Sequence, residues 1–201
     1  MKRIHIFIAC MTLSVLAIQL DASENYPQIE IVTTSGRIVV ELDRNRAPKT
    51  VENFLNYVQS GVYVGTIFHR VIPGFVIQTG GYDVNLNEID TLPEIINESG
   101  NGLKNQRMSL GMARTNEPHS GSSQFYINLN DNFSLDPMPT RWGYAVFGDV
   151  IDGFSVVEGI ASNATQTIKG FQDVPVAPII ILEVNRIDLS LIHISEPTRP
   201  Y

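Results

Sequence analysis

IFHRVIPGFVIQTGG, running from Ile67 to Gly81, is the stretch in which fold and chemistry meet. Two β-rich runs, Ile67–Ile72 and Phe75–Thr79, flank Pro73–Gly74, a pair that marks a tight turn. Strand alternation puts Phe68, Arg70 and Ile72 on one side and Ile67, His69 and Val71 on the other. Arg70 thus sits in an otherwise apolar strand, where a lone charge is costly to bury and needs a partner or a wet cleft. Gln78 repeats the pattern among Phe75, Val76 and Ile77. Across so short a turn an Arg and a Gln can share one concave face. The alternative is that Arg70 pairs with an acid at the rim of the fold, and spacing alone does not separate the two.

Outward from this hairpin, the chain reads as many short strands. Gln28–Thr33 and Arg37–Leu42 form a hairpin around Thr34–Ser35–Gly36. Pro48 opens a helix with Val51, Phe54, Leu55 and Val58 at i, i+3, i+4 and i+7, and Gly61 stops it. A long irregular stretch, Gly80–Gln106, follows, and strands resume at Arg107–Ala113, Ser123–Leu129 and Tyr144–Val150. A short helix is expected over Gly153–Ile160 and a last strand over Ile179–Ile187. With no repeat and no linker, the pattern implies one all-β domain, a closed barrel or sandwich with two helices at its ends.

Both ends of the chain stand apart from that pattern. Met1–Lys2–Arg3 followed by the apolar run Ile4–Leu20 and by Ala22 and Ser23 reads as a secretory signal peptide over residues 1–22. The run is too short and interrupted for a comfortable membrane span, so no stable span is expected once it is cleaved. Residues 189–201 follow the final strand with no turn signal. They resemble the in-frame translation of a sequencing adaptor and are read as a tail outside the fold, adaptor-derived or disordered. The folded domain is therefore placed at residues 23–188.

Of the 201 residues, 14 are Lys or Arg and 21 Asp or Glu, a net charge of −7 that argues against a general nucleic-acid binder. Setting the two ends aside removes Cys10, His5 and His193 and leaves His69 and His119. Two histidines 50 positions apart make no recognisable ligand set, so neither metal nor cofactor is expected. Ser120–Gly121–Ser122–Ser123 lacks the GxSxG elbow of a serine hydrolase, and His119 stands too close in sequence to serve those serines as a base. His119 is read as a solvated loop residue. Three sequons, at Asn97, Asn132 and Asn163, have meaning only in a eukaryotic secretory pathway.

Six segments in register resemble the cyclophilins, most closely the secreted bacterial type. They are APKTVENFL (Ala47–Leu55), FHRVIPGFVIQTGG (Phe68–Gly81), NGLKN (Asn101–Asn105), GMART (Gly111–Thr115), SSQFYINL (Ser122–Leu129) and GYAVFGDVIDG (Gly143–Gly153). The resemblance implies a closed eight-stranded antiparallel β-barrel capped by two α-helices. It implies peptidyl-prolyl cis–trans isomerase activity on proline-containing segments of exported proteins, by a monomer in the periplasm or secreted. By this resemblance Arg70, Phe75 and Gln78 are catalytic. Val76, Tyr126 and Leu135 join Phe75 as the wall of a proline pocket, with Tyr144 at its rim. Gln124 orients substrate with Gln78, and the Ala113–Arg114–Thr115 backbone holds the residues before proline. His69 matches a position discussed as functional, but alternation turns it from Arg70, and it is read as structural.

Three positions depart from the family pattern. Tyr82 follows the glycine pair where an aspartate is usual, and Tyr126 adds a hydroxyl that needs a partner. Ser134 stands where many eukaryotic members have a tryptophan that supports cyclosporin binding, so weak inhibition is expected; Trp142 is placed near the rim. A second reading stays open: a cyclophilin-like module or chaperone that binds peptides with little turnover.

Overall fold

A computed structural model describes residues 24–187. The signal-peptide and tail assignments, with Cys10, His5 and His193, lie outside the described residues. The strands are β1 (Gln28–Thr33), β2 (Gly36–Leu42), β3 (Arg70–Ile72), β4 (Val76–Thr79), β5 (Ser109–Met112) and β6 (Phe125–Asn128). β7 (Val146–Asp152), β8 (Thr165–Ile168), β9 (Phe171–Pro175) and β10 (Ile181–Ile187) complete them, with helices α1 (Pro48–Ser60) and α2 (Phe154–Ala161). Eight strands form one antiparallel sheet in the order β10-β1-β2-β7-β5-β6-β4-β3, and β8–β9 make a separate hairpin.

The fold is mostly β with two helices, and the large sheet is a curled half-barrel. Its edge strands β3 and β10 do not ladder with each other, which differs from the closed eight-stranded barrel expected. β3 is only three residues long, cut off by the Pro73–Gly74 turn, and β9 of the separate hairpin packs beside it. Instead the chain just before each edge meets in one antiparallel bridge, Ile67 to Ile180. Phe68 N–H donates to Ile179 O at 3.0 Å and Ile181 N–H to Thr66 O at 2.9 Å.

This bridge corrects one expectation. Phe68 does not share a face with Arg70 and Ile72: it is buried in the core, because regular alternation begins only at Arg70. Ile67, Phe68 and His69 are all buried, as expected of a segment held against the opposite edge rather than laid along a pleated strand.

α1 forms where its periodicity places it. Pro48 fits the first turn because its missing N–H would have no partner there, and Gly61 ends the helix at φ 72°, a left-handed conformation natural to glycine. No side chain of the helix's own N-cap residue serves the first turn. Glu98 does so from the long loop, accepting from Thr50 N–H at 2.8 Å, Thr50 Oγ1–H at 2.7 Å and Lys49 N–H at 3.1 Å. A carboxylate there satisfies orphan donors and complements the helix dipole.

The buried face of α1 centres on Phe54, which is fully buried and lies 5.2–5.4 Å from the rings of Phe125, Tyr63 and Phe147. These contacts join helix, loop, β6 and β7 into one core, while α2 packs on β2, β3 and β4. Truncating Phe54 opens a cavity at that junction. Phe54→Ala is expected to lower stability by about 3–5 kcal/mol in urea unfolding. A loss below about 1 kcal/mol would show that the core does not turn on this ring.

Candidate active site

Cross-strand pairing builds the site. Arg70 pairs with Gln78, Gln78 with Tyr126, and Tyr126 with Gly111, so one row crosses β3, β4, β6 and β5. All four residues present their side-chain positions to the sheet face opposite the core, which takes Val71, Ile77, Phe125, Ile127 and Leu110. Gly111 is required by close approach: a Cβ there would sit 2.2 Å from Cζ of Tyr126, whose ring occupies that space.

Arg70 Nη1 donates to Gln78 Oε1 at 3.4 Å, and Gln78 Nε2 donates to Gln124 Oε1 at 2.8 Å. Among the described residues Arg70 forms no ion pair, so the reading in which an acid pairs with it at the rim does not hold. A guanidinium carries five donors, and one weak bond to Gln78 leaves most of them available to a ligand.

The apolar residues gather next to this row. Val76 is buried on the Gln78 side of β4, and neither it nor Tyr126 joins the core cluster. Phe75 leaves the turn half-buried, its carbonyl accepting from Leu129 N–H and Asn132 Nδ2, both at 2.8 Å. Leu135 ends a single 3-10 turn, Phe133–Leu135, and its carbonyl accepts from Tyr144 N–H at 2.9 Å. Tyr144 meets Tyr126 edge-on at 6.0 Å and carries the Arg114 guanidinium 4.5 Å above its ring.

Gln78 also lines a cleft of about 270 Å³ together with Gln124, Ala113, Arg114, Thr115 and the carboxylates Glu88 and Glu94. The Arg114 guanidinium is engaged by backbone, donating to the carbonyls of Gly143, Trp142 and Thr115. Every residue expected at the site except His69 is therefore on this face or on the loops that border it.

His69 is 3% exposed and packs edge-on against Tyr82 at 4.8 Å, with Phe171 4.8 Å beyond. Tyr82 is thus committed to an aromatic stack that ties the segment before β3 to the β8–β9 hairpin. Burial, assisted by the Arg70 charge, pushes the His69 imidazole down from 6.5 to about 4. His119 is exposed as expected but not idle: it stacks on Trp142 at 5.1 Å, and its Nδ1 accepts from Asn97 N–H at 3.1 Å. The amides of Asn97, Asn132 and Asn163 all donate to partners within the fold.

The Tyr126 hydroxyl has the partner that its presence demands. It donates to Asn105 Oδ1 at 2.7 Å, and burial holds its pKa well above the usual tyrosine value, so it stays a donor. Nothing in the local residue pattern singles out Asn105 for this; its position emerges only when the loop is folded over β6.

Residues 28–186 match the family described as cyclophilin type peptidyl-prolyl cis-trans isomerase/CLD. The chain is 52% identical over 156 residues to peptidyl-prolyl cis-trans isomerase cyp18 of Streptomyces antibioticus, covering 76% of this chain and 94% of that one. It is 47% identical over 156 residues to peptidyl-prolyl cis-trans isomerase B of Escherichia coli K12, again with 76% and 94% covered. A crystal structure of a Cryptosporidium parvum cyclophilin type isomerase in the presence of the dipeptide Ala-Pro superposes with a TM-score of 0.67 at 28% identity. It covers 80% of this chain and 99% of that one. The chain belongs to the cyclophilin family. Its activity is peptidyl-prolyl cis–trans isomerisation.

The His69 environment makes a pH prediction. Its folded pKa lies below the unfolded value, so the unfolded chain takes up the proton first and stability rises with pH across this window. That contribution is fully present above about pH 6.5 and is lost towards pH 4, by up to about 3 kcal/mol. His69→Gln is expected to flatten this part of the curve when unfolding free energies at pH 7 and 4.5 are compared. An unchanged slope would mean that the imidazole does not titrate as its burial requires.

Proposed function

We propose that an X–Pro segment lies across the Arg70–Gln78–Tyr126 row with its pyrrolidine ring among Phe75, Val76, Tyr126 and Leu135. Tyr144 borders the ring, and the residues before proline run along Ala113–Arg114–Thr115, oriented by Gln78 and Gln124. Arg70 directs its free N–H groups at the prolyl nitrogen. The related Cryptosporidium parvum structure obtained with Ala-Pro supports proline as the ligand class. Phe75 and Gln78 act with Arg70: one packs the ring and the other steadies the guanidinium.

The chemistry follows from the amide. Rotation about X–Pro is held by a barrier of about 18–20 kcal/mol arising from resonance, and it relaxes unaided in roughly tens to hundreds of seconds. At the twisted transition state resonance is lost and the nitrogen lone pair becomes available. A fixed guanidinium stabilises that state more than either planar one, which is the differential binding that catalysis needs. No bond is formed to the protein, and His69, neutral and stacked on Tyr82, has no part in the step.

The observation that carries this reading is a guanidinium steadied by a glutamine rather than neutralised by an acid. Arg70→Ala is expected to lower kcat/KM by about 10²–10³-fold in a protease-coupled peptide assay while peptide affinity changes far less. Equal rates for wild type and variant would leave only a peptide-binding module.

The working context is export, with the 1–22 segment removed as a signal peptide, residues 23–188 acting as a monomer in the periplasm or outside the cell, and the tail taking no part. The basic, then apolar, start of the chain supports this. The Ile67–Ile180 bridge supports a barrel that closes through its edge segments. Ser134 offers no indole beside Leu135, and cyclosporin is expected to inhibit weakly; a nanomolar inhibition constant in the same assay would contradict it.

A further inference from the structure

The geometry points to Asn105 as the positioning residue of the proline pocket. Its side chain is fully buried, and every polar atom it has is engaged. Oδ1 accepts from the Tyr126 hydroxyl at 2.7 Å and from Asn128 Nδ2 at 3.3 Å. Nδ2 donates to Asp136 Oδ1 at 2.9 Å and, more weakly, to Tyr144 O at 3.5 Å. The backbone N–H donates to the same Asp136 oxygen at 2.9 Å, and the backbone carbonyl accepts from Asn132 N–H at 2.7 Å.

Those partners are the pocket's own walls or their immediate supports. Tyr126 and Tyr144 are walls themselves, Asp136 follows Leu135, and Asn132 both precedes the 3-10 turn and donates to Phe75 O. One side chain therefore fixes the distances between three separate segments: β6, the 3-10 turn and the approach to β7. The amide's orientation is dictated rather than arbitrary. Asp136 is nearly buried, its other oxygen is 3.4 Å from Lys104 Nζ, and a carboxylate only accepts, so the NH₂ must face it. That leaves Oδ1 for the Tyr126 hydroxyl, which is held as a donor. A half-satisfied version of such a network costs more than none, so the parts stand or fall together. Asn105 touches no substrate in the proposed pose: it acts through the walls.

This role rests on the reading of Tyr126, Leu135 and Tyr144 as the pocket, and the experiment separates the two. KM and kcat for an Ala-Pro-containing peptide are measured on Asn105→Ala, with the folded fraction checked by circular dichroism and thermal melting. The full chain, processed as it is exported, is used. KM is expected to rise about tenfold, the scale of one lost buried hydrogen bond, with kcat falling less. In a Tyr126→Phe background, where the hydroxyl no longer needs holding, the same change is expected to raise KM only about threefold. Should Asn105→Ala fail to fold, Asn105→Ser carries the same comparison. A folded Asn105 variant with unchanged KM, or an equal rise in both backgrounds, overturns the positioning role. Leu135→Ala is the control: a KM rise there alone overturns only the role of Asn105, whereas no rise there removes the pocket and this role with it.

Discussion

The register that sets Arg70 beside Gln78, and Gln78 beside Tyr126, is the constraint on which the rest of the molecule depends. Side chains alternate with a period of two along a strand, so a slip of one residue would send Arg70 into the core and bring Val71 out. That slip is forbidden from both sides. The inner face is filled by Val71, Ile77, Phe125 and Ile127 against Phe54 of α1, and a charged group there would be left without partners. The outer face is filled by the Tyr126 ring lying over Gly111, where any Cβ would collide. Core packing and site geometry are thus one requirement met by one set of pairings.

Electrostatics follow from the same row. Arg70 keeps its charge available because a neutral amide, not a carboxylate, lies opposite, and the amide is itself anchored by Gln124. An acid in that place would hold the guanidinium through a charge-assisted pair and compete with any ligand. Nearby, the one histidine that adjoins Arg70 is kept neutral by burial, so it adds no second charge to the site. In a chain that is acidic as a whole, neither Arg70 nor Arg114 at this face is ion-paired among the described residues.

How far the sequence discloses this varies with the physics of each part. α1 is legible from Pro48, the i, i+3, i+4, i+7 apolar set and Gly61, because those signals are local. The convergence of Arg70 and Gln78 is only half legible: the short turn brings the two strands together, but the register that sets Arg70 opposite Gln78 leaves three residues, 73–75, in the loop, and spacing alone does not choose it. The burial of Phe68 is not legible, because it comes from the Ile67–Ile180 bridge between segments more than a hundred residues apart. The β8–β9 hairpin is illegible for a different reason: all four residues of β8, TQTI, are exposed, so no apolar alternation marks it. The need of Tyr126 for a hydroxyl partner could be foreseen, but the identity of that partner could not. Asn105 reaches it from a loop 21 positions away, and nothing in the pattern of NGLKN distinguishes a turn asparagine from a buried hub.

In the proposed pose the guanidinium acts on the prolyl nitrogen while the ring is held in the apolar recess. A crystal structure of residues 23–188 with a bound Ala-Pro-containing peptide tests it directly. The ring is expected between Phe75, Val76, Tyr126 and Leu135, with an Arg70 N–H within hydrogen-bond reach of the prolyl nitrogen, about 3 Å. A proline seated elsewhere, or an Arg70 side chain turned from the nitrogen towards an acid, would contradict it.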